Sequence, residues 1–246
     1  SLVGSEMCIR DRVNAMHACL LKVPWSGSGK GLNWCLHGFT KPVSNWCERV
    51  LREQGGLTAE PIYNKVKDFA LEFYSDGQGE VRFAGYSVFS TNEHGAYTGN
   101  LLASDGQIEE SIACCLSLEK LTGIREALRA ELASIYGNTY TGYLGVDMMV
   151  CRSDKENGYR VHPCVEINMR MNMGVVARLF YDRFVAPGSK GCFAVEYVPD
   201  NETLRARHEQ DMHDYPLTVE QGRLASGYLP LVPVTGKSCY RAYVRI

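Results

Sequence analysis

The chain has 246 residues, 45% of them hydrophobic and 22% charged, the composition of a globular protein with enough apolar material for a sizeable core. A formal net charge of −2 leaves no basic surface of the kind that holds nucleic acid. No apolar run reaches the roughly 18 residues that a membrane helix needs.

The N-terminus reads Ser-Leu-Val-Gly-Ser-Glu-Met-Cys-Ile-Arg-Asp-Arg. It lacks the long apolar stretch of a signal peptide, and it resembles the translation of a sequencing-library adapter. Residues 1–12 are therefore expected to be an artefact to be left out of fold reasoning, with the natural chain beginning further upstream. Cys19 to Val23 are apolar around one lysine, as in a short buried strand. A turn follows, Pro24-Trp25-Ser26-Gly27-Ser28-Gly29-Lys30-Gly31. Asn45 to Glu53 are helical in pattern, and Gly55-Gly56 stop them. Leu57 to Pro61 are strand-like. Asp68–Tyr74 and Val81–Phe89, joined by the turn Asp76-Gly77-Gln78-Gly79, form a β-hairpin.

Ile108 to Tyr136 is the longest helical stretch, with Gly123 as a candidate break. Gly142–Cys151 and Tyr159–Asn168, joined through Asp154–Gly158, form a second hairpin. Gly174 to Phe184 is helical, and short strands and turns run from there to Ile246. Hairpins mixed with helices argue for an α+β fold over a doubly wound sheet.

Ten cysteines without a Cys-x-x-Cys pair exclude the usual zinc spacing. A chain of this length is read as holding reduced, mostly buried thiols in the cytoplasm.

Two constellations carry chemistry. Lys22 lies on an apolar strand just before a glycine/serine loop, whose backbone N–H groups can cradle phosphate. A plain flexible turn is the competing reading, because the Gly-Lys-Ser/Thr ending of a P-loop is missing. In the second, Glu166 and Asn168 are two apart on a strand and share a face. Asp147 can lie opposite them if the two strands pair. Three hard oxygen ligands suit Mg²⁺, and Arg170 extends the same face as a fork donor for phosphate. Ordinary surface acids beside a turn would give the same letters, but carboxylates inside apolar strands are costly without a partner.

Gly145-Val146-Asp147 followed by Glu166-Ile167-Asn168-Met169-Arg170 resembles the metal-binding strands of the ATP-grasp superfamily, whose common form is Glu-Ile-Asn-Pro-Arg. Here Met169 replaces the proline. Leu21-Lys22-Val23-Pro24 and the loop after it are similar to the family's lysine strand and phosphate-covering loop. Gly56-Leu57-Thr58-Ala59-Glu60-Pro61 is similar to its hinge strand. The match covers most of Cys19 to about Gly174 and also resembles a poorly characterised bacterial group within the superfamily.

The resemblance implies two α+β lobes clamping ATP. Residues 13–60 would be part of the small lobe, 61–185 the large lobe and 186–246 a C-terminal extension packed on it. The N-terminal substrate domain and an earlier nucleotide lysine would be missing. It implies ATP and Mg²⁺ (or Mn²⁺) as cofactors. Lys22, Ser26, Gly27, Ser28, Gly29 and Glu60 would meet the nucleotide, and Asp147, Glu166 and Asn168 the metal. Arg170 and Lys22 would carry catalysis.

The implied reaction activates a carboxylate as an acyl phosphate for attack by an amine or similar nucleophile. A phosphotransferase and a non-catalytic ATP-binding module remain open beside the ligase. The partners would be small molecules, with neither nucleic acid nor membrane, and the oligomeric state stays open. The polar stretch Ser90–Asn100 is either an ordinary loop or the acceptor side of the site. His94 is read as a surface histidine, His162 as structural, and Trp25, Trp34 and Trp46 as core or lobe-packing residues, with contact to substrate as the alternative for Trp25.

Overall fold

The computed structural model describes every residue except 1, 4, 27–30, 94 and 154–157. The chain divides into two compact units, residues 1–64 with 91–97, and residues 65–90 with 98–246.

The first unit contains β1 (Leu2–Val3), α1 (Glu6–Met16), β2 (Cys19–Lys22), β3 (Leu32–Cys35), α2 (Lys41–Gln54) and β4 (Leu57–Pro61). Its sheet has the order β1-β4-β2-β3, all antiparallel. Ser5 caps α1 by accepting from the Cys8 N–H at 3.3 Å. The opposite end of α2 is closed by Gly55 at φ 75°, whose N–H donates to the Leu51 carbonyl. A residue with a Cβ is strained in that left-handed conformation, so glycine is the natural stop there.

Ile9 and Val13 from α1, Cys47 and Val50 from α2, and Leu21 and Leu57 from the sheet are buried together. Residues 6–12, read in sequence as part of an adapter-derived segment, lie in α1, and that packing does not bear on their origin. These residues supply more than half of the 11-residue α1, and Ile9 is in the core. Ile9 and Val13, four apart, form a short apolar stripe, and a stripe needs a surface to cover. The origin of the segment is a separate matter from its packing.

The second unit contains β5 (Lys65–Asp76), β6 (Val81–Thr91), β7 (Tyr97–Leu102), α3 (Asp105–Ala113), α4 (Leu118–Tyr136), β8 (Thr141–Ser153), β9 (Gly158–Asn168), α5 (Met173–Phe184), β10 (Gly191–Tyr197), α6 (Asn201–Asp214), β11 (Thr218–Glu220), β12 (Arg223–Ser226), β13 (Tyr228–Pro230) and β14 (Tyr240–Arg245). Eight strands make one sheet in the order β13-β14-β10-β7-β6-β5-β8-β9, and β11 pairs with β12 separately. Three of the eight, β10, β13 and β14, come from the stretch read in sequence as an extension.

The two faces of this sheet differ in chemistry because strand side chains alternate. Phe69, Leu71, Phe73, Tyr86, Leu144, Val146 and Met148 pack with Ile108 and Ile112 of α3 and Leu121 and Leu132 of α4. The intervening residues Glu72, Ser87, Asn100, Gly145 and Asp147 face the other way. That second face meets α5, whose Ala177 and Tyr181 pack with Leu102, Phe193 and Val244.

Two expectations are corrected. The long helical stretch breaks at Cys114–Ser117, where Ser117 caps α4 by accepting from the Lys120 N–H. Gly123 sits inside α4 with no atom within 4 Å of where a Cβ would be, so nothing forces a break there. The stretch after Phe184 contains α6, a 14-residue helix. Only Leu204 of α6 is buried, so no apolar period marks it. Polar contacts anchor it instead: Arg207 to Glu196 at 2.5 Å, Asp211 to Arg241 at 2.6 Å and His208 to Tyr228 at 2.9 Å.

All ten cysteines are free, but only Cys19, Cys35, Cys47 and Cys151 are buried, which corrects the reading of mostly buried thiols. Among the described residues no helix is long and apolar enough to cross a membrane.

Candidate functional site

The second hairpin pairs β8 with β9 in a register that sets Asp147 directly against Glu166 and Gly145 against Asn168. Both strands are long and rich in β-branched and apolar residues on the core side, which fixes which residues point away. Asn168 is buried, and its Nδ2 donates to Asp147 Oδ2 at 3.1 Å. Arg170 Nη2 donates to Asn168 Oδ1 at 3.0 Å. Asp147, Glu166, Asn168 and Arg170 are therefore brought together on one sheet face.

The electrostatics of this cluster favour a cation. Burial pushes the Asp147 carboxyl up to about 7, and the neighbouring Glu166 and Asp68 carboxylates push it the same way. The Asn168 amide and the Arg170 guanidinium act in the opposite sense. Two carboxylates and an amide oxygen are the hard donors that Mg²⁺ accepts, with water and phosphate completing its shell. The donor set fits, with one adjustment. Asn168 now presents its nitrogen to Asp147, and turning its amide would present Oδ1. Among the described residues no group of three His, Cys, Asp or Glu side chains is arranged to hold a metal, so this mixed set is the candidate.

Residues behind the cluster extend it. Glu72 lies on β5, paired with Gly145 across the strand, and is only 1% exposed. Asn172 Nδ2 donates to its Oε2 at 2.8 Å. Asn172 Oδ1 in turn accepts from the Val175 N–H at 2.9 Å, capping α5. Burial pushes the Glu72 carboxyl up to about 8, the Asn172 bond opposes this, and Asp147 adds to it. Nearby, Asn100 Nδ2 donates to Ser87 Oγ at 2.6 Å.

Two glycines make room for Glu72. A Cβ on Gly174 would lie 2.1 Å from Glu72 Oε1, and one on Gly145 would lie 2.4 Å from Oε2. Sequence reasoning missed Glu72. The signal was present in Phe69-Ala70-Leu71-Glu72-Phe73, where alternation sets one acid on the face opposite three large apolar side chains.

The remaining candidates lie in the first unit. Lys22 Nζ and the Glu60 carboxylate form an ion pair at 2.5 Å across β2 and β4, where Leu20 is the residue directly opposite Glu60. Both side chains are partly exposed. The Val23 N–H donates to the Gly31 carbonyl at 3.1 Å, closing the loop between them. Ser26 in that loop is exposed, and its Oγ donates to the Val23 carbonyl at 3.4 Å. Gly27, Ser28 and Gly29, with Lys30 and His94, lie outside the described residues. Trp46 packs against the core, but Trp25 is 82% exposed and Trp34 is 44% exposed, so these two are not core residues.

The eight-stranded antiparallel sheet of the second unit and the smaller α+β first unit, each taken by itself, match chains of the ATP-grasp fold. No family model matches the sequence, and no curated protein matches it. Solved structures do match. N5-carboxyaminoimidazole synthetase from Staphylococcus aureus, complexed with ADP, matches 98% of this chain and 61% of its own, at a TM-score of 0.57 and 12% identity.

The biotin carboxylase domain of 2-oxoglutarate carboxylase from Hydrogenobacter thermophilus, with MgADP, ADP and bicarbonate, matches 100% of this chain and 57% of its own, at a TM-score of 0.57 and 12% identity. N5-carboxyaminoimidazole synthase from Aspergillus clavatus, with ADP and 5-aminoimidazole ribonucleotide, gives a TM-score of 0.58 at 10% identity, over 99% of this chain and 61% of its own. The chain thus spans 57 to 61% of the length of these three proteins.

Proposed function

We propose that this chain binds ATP with Mg²⁺ and is the nucleotide-handling part of a ligase that activates a carboxylate as an acyl phosphate. The observation that carries the reading is the cross-strand pair Asp147–Glu166 with Asn168 and Arg170 beside it. A partly buried carboxylate facing an exposed one is repelled by it, and a divalent cation relieves that cost. The fold adds support, because chains of this fold have been solved with ADP and with MgADP.

On this reading Asp147, Glu166 and Asn168 hold Mg²⁺, which when bound neutralises charge on the phosphates and the transferring phosphoryl group. Arg170 offers its guanidinium to an oxygen of the phosphate or of the carboxylate under attack. Lys22 neutralises phosphate, and Glu60 accepts from the ribose hydroxyls once the two part from each other. Ser26, Gly27, Ser28 and Gly29 cover the phosphates. A substrate carboxylate oxygen attacks the γ-phosphorus and ADP leaves; an amine or similar nucleophile then attacks the acyl carbon and phosphate leaves. The partners are small molecules, and the site of action is the cytoplasm.

Calorimetric titration with ATP in the presence and absence of Mg²⁺ tests the binding. Wild-type chain is expected to bind ATP only weakly without the metal. Asp147→Asn combined with Glu166→Gln is expected to remove the Mg²⁺-dependent gain. Unchanged Mg²⁺-dependent affinity in the double variant would overturn the metal assignment. For the chemistry, ADP and phosphate release is followed on adding candidate carboxylates, bicarbonate first, since a chain of this fold was solved with that anion. A phosphorylated product in place of free phosphate would make the protein a phosphotransferase.

A further inference from the structure

We propose that Glu72 is the positioning residue for the Asn168–Asn172 turn, holding Arg170 and the Asn168 amide in register through its hydrogen bond with Asn172. The proposal rests on the nucleotide reading above, in which Arg170 and Asn168 meet phosphate and metal. Glu72 itself touches neither.

The geometry is a short clamp. One end of the turn is fixed where Asn168 pairs with Gly145 at the end of β9. The Arg170 N–H donates to the Asn168 carbonyl at 2.9 Å, so the chain turns at once. The other end is Asn172, whose side chain folds back over Gly145. A Cβ on Gly145 would meet Asn172 Nδ2 at 2.2 Å and Glu72 Oε2 at 2.4 Å, so the Glu72–Asn172 bond fills the space directly above that glycine. Glu72, Gly145 and Asn168 form one row across three strands. The carboxyl therefore sits in the same row as the metal-site amide, one strand beyond its neighbour.

Asn172 is satisfied on both sides, donating to Glu72 and accepting from Val175. Losing the Glu72 acceptor leaves a buried amide N–H unpaired, a cost that the turn can relieve by moving. Glycine at 145 and at 174 is what this arrangement requires, because any side chain there would occupy the carboxyl's place. Burial raises the Glu72 carboxyl, and the Asn172 amide meets its Oε2 at 2.8 Å.

The test compares Glu72→Gln, which keeps a carbonyl acceptor, with Glu72→Leu, which keeps the volume and removes it. Two readouts are taken on the full chain: ATP affinity with and without Mg²⁺, and hydrogen exchange at the Val175 amide. Glu72→Leu is expected to lower Mg²⁺-dependent ATP affinity at least tenfold, to leave Mg²⁺-free nucleotide affinity within about threefold of wild type, and to speed Val175 exchange. Glu72→Gln is expected to restore both. Equal loss of affinity with and without Mg²⁺ would mark a merely structural residue and overturn the proposal. So would wild-type affinity and wild-type Val175 exchange in Glu72→Leu. If wild-type chain binds no MgATP, the nucleotide reading fails, and the exchange measurement still decides whether Glu72 holds the turn.

Discussion

Asp147 and Glu166 face each other across β8 and β9, and Asn168, two residue pairs along on the same face, donates its amide to Asp147 at 3.1 Å. That amide gives Asp147 a neutral donor on the face it shares with Glu166. Asn168→Asp replaces a donor by a third carboxylate in a buried position. At pH 8 without metal the loss of a hydrogen bond to a charged group, plus new repulsion, is expected to cost about 2–3 kcal/mol. The melting temperature should fall by several degrees. Added Mg²⁺ should raise it by more in the variant than in wild type, since the extra charge is a better ligand. A variant that melts lower and gains nothing from Mg²⁺ would speak against a cation at this place.

Asp147 and Glu72 should make the metal-free protein more stable in mild acid than in base. Their folded-state values lie near 7 and 8, raised from ordinary values of 3.8 and 4.5. Between those limits the folded state keeps protons that the unfolded chain has released. Their contribution is thus fully present below about pH 4 and is lost as pH rises through 7 and 8. Acids held low by partners, such as Glu196 beside Arg241 and Arg207, act below about pH 4.5 and leave this window clear. The denaturant midpoint should fall as pH rises from 5 to about 8, and either Asp147→Asn or Glu72→Gln should make that fall shallower. A midpoint that climbs over this range would contradict both assignments.

Three glycines should respond oppositely to one added methyl. Gly174→Ala would drive a Cβ to 2.1 Å from Glu72 Oε1 and 2.5 Å from Ser87 Oγ, and Gly145→Ala to 2.2 Å from Asn172 Nδ2. Crowding a packed interior in this way costs about 1–3 kcal/mol. Gly123→Ala meets nothing within 4 Å in the middle of α4, and there the gain in helix propensity is about 0.5–1 kcal/mol. Thermal melting of the three variants reads the contrast directly, and a Gly174→Ala protein as stable as wild type would mean that α5 does not press on Glu72.

Residues 141–168 were the most legible part of the sequence. Alternation along two strands joined by a turn fixes their faces, and pairing then brings Asp147 to Glu166 without further information. The Leu57–Pro61 strand was equally plain, framed by Gly55-Gly56 and a proline. α6 was not legible, because Asn201–Asp214 buries a single leucine and is held by ion pairs to Glu196 and Arg241, which lie outside its own sequence. Glu72 was passed over for a related reason. One acid inside an apolar strand reads as an ordinary outward residue until α5, a hundred residues later in the chain, is seen to cover it. The α3–α4 break was assigned to Gly123 on composition, whereas Ser117, a capping residue in an unremarkable stretch, sets it.

Cysteine reactivity should separate along lines that the count of ten conceals. Burial pushes the Cys35 thiol up to about 12 and the Cys47 thiol up to about 11, and it raises Cys19 and Cys151 as well. The thiolate is the reacting form, so these four combine a scarce nucleophile with no access. Cys164 is exposed, but desolvation and the Asp147 charge raise it. Cys8 and Cys114 are exposed, and Cys114 Sγ lies 3.3 Å from Cys115 Sγ. Brief treatment of native protein with iodoacetamide at pH 7.5, followed by peptide mass analysis, should show Cys8 and Cys114 modified first and Cys164 more slowly. Cys19, Cys35, Cys47 and Cys151 should be modified only after denaturation. Because Cys35 and Cys47 share the first unit's core with Ile9 and Val13 of α1, their protection also reports whether that helix stays docked. Native labelling of Cys35 or Cys47 at the rate of Cys114 would show that this core opens readily and that α1 does not hold it closed.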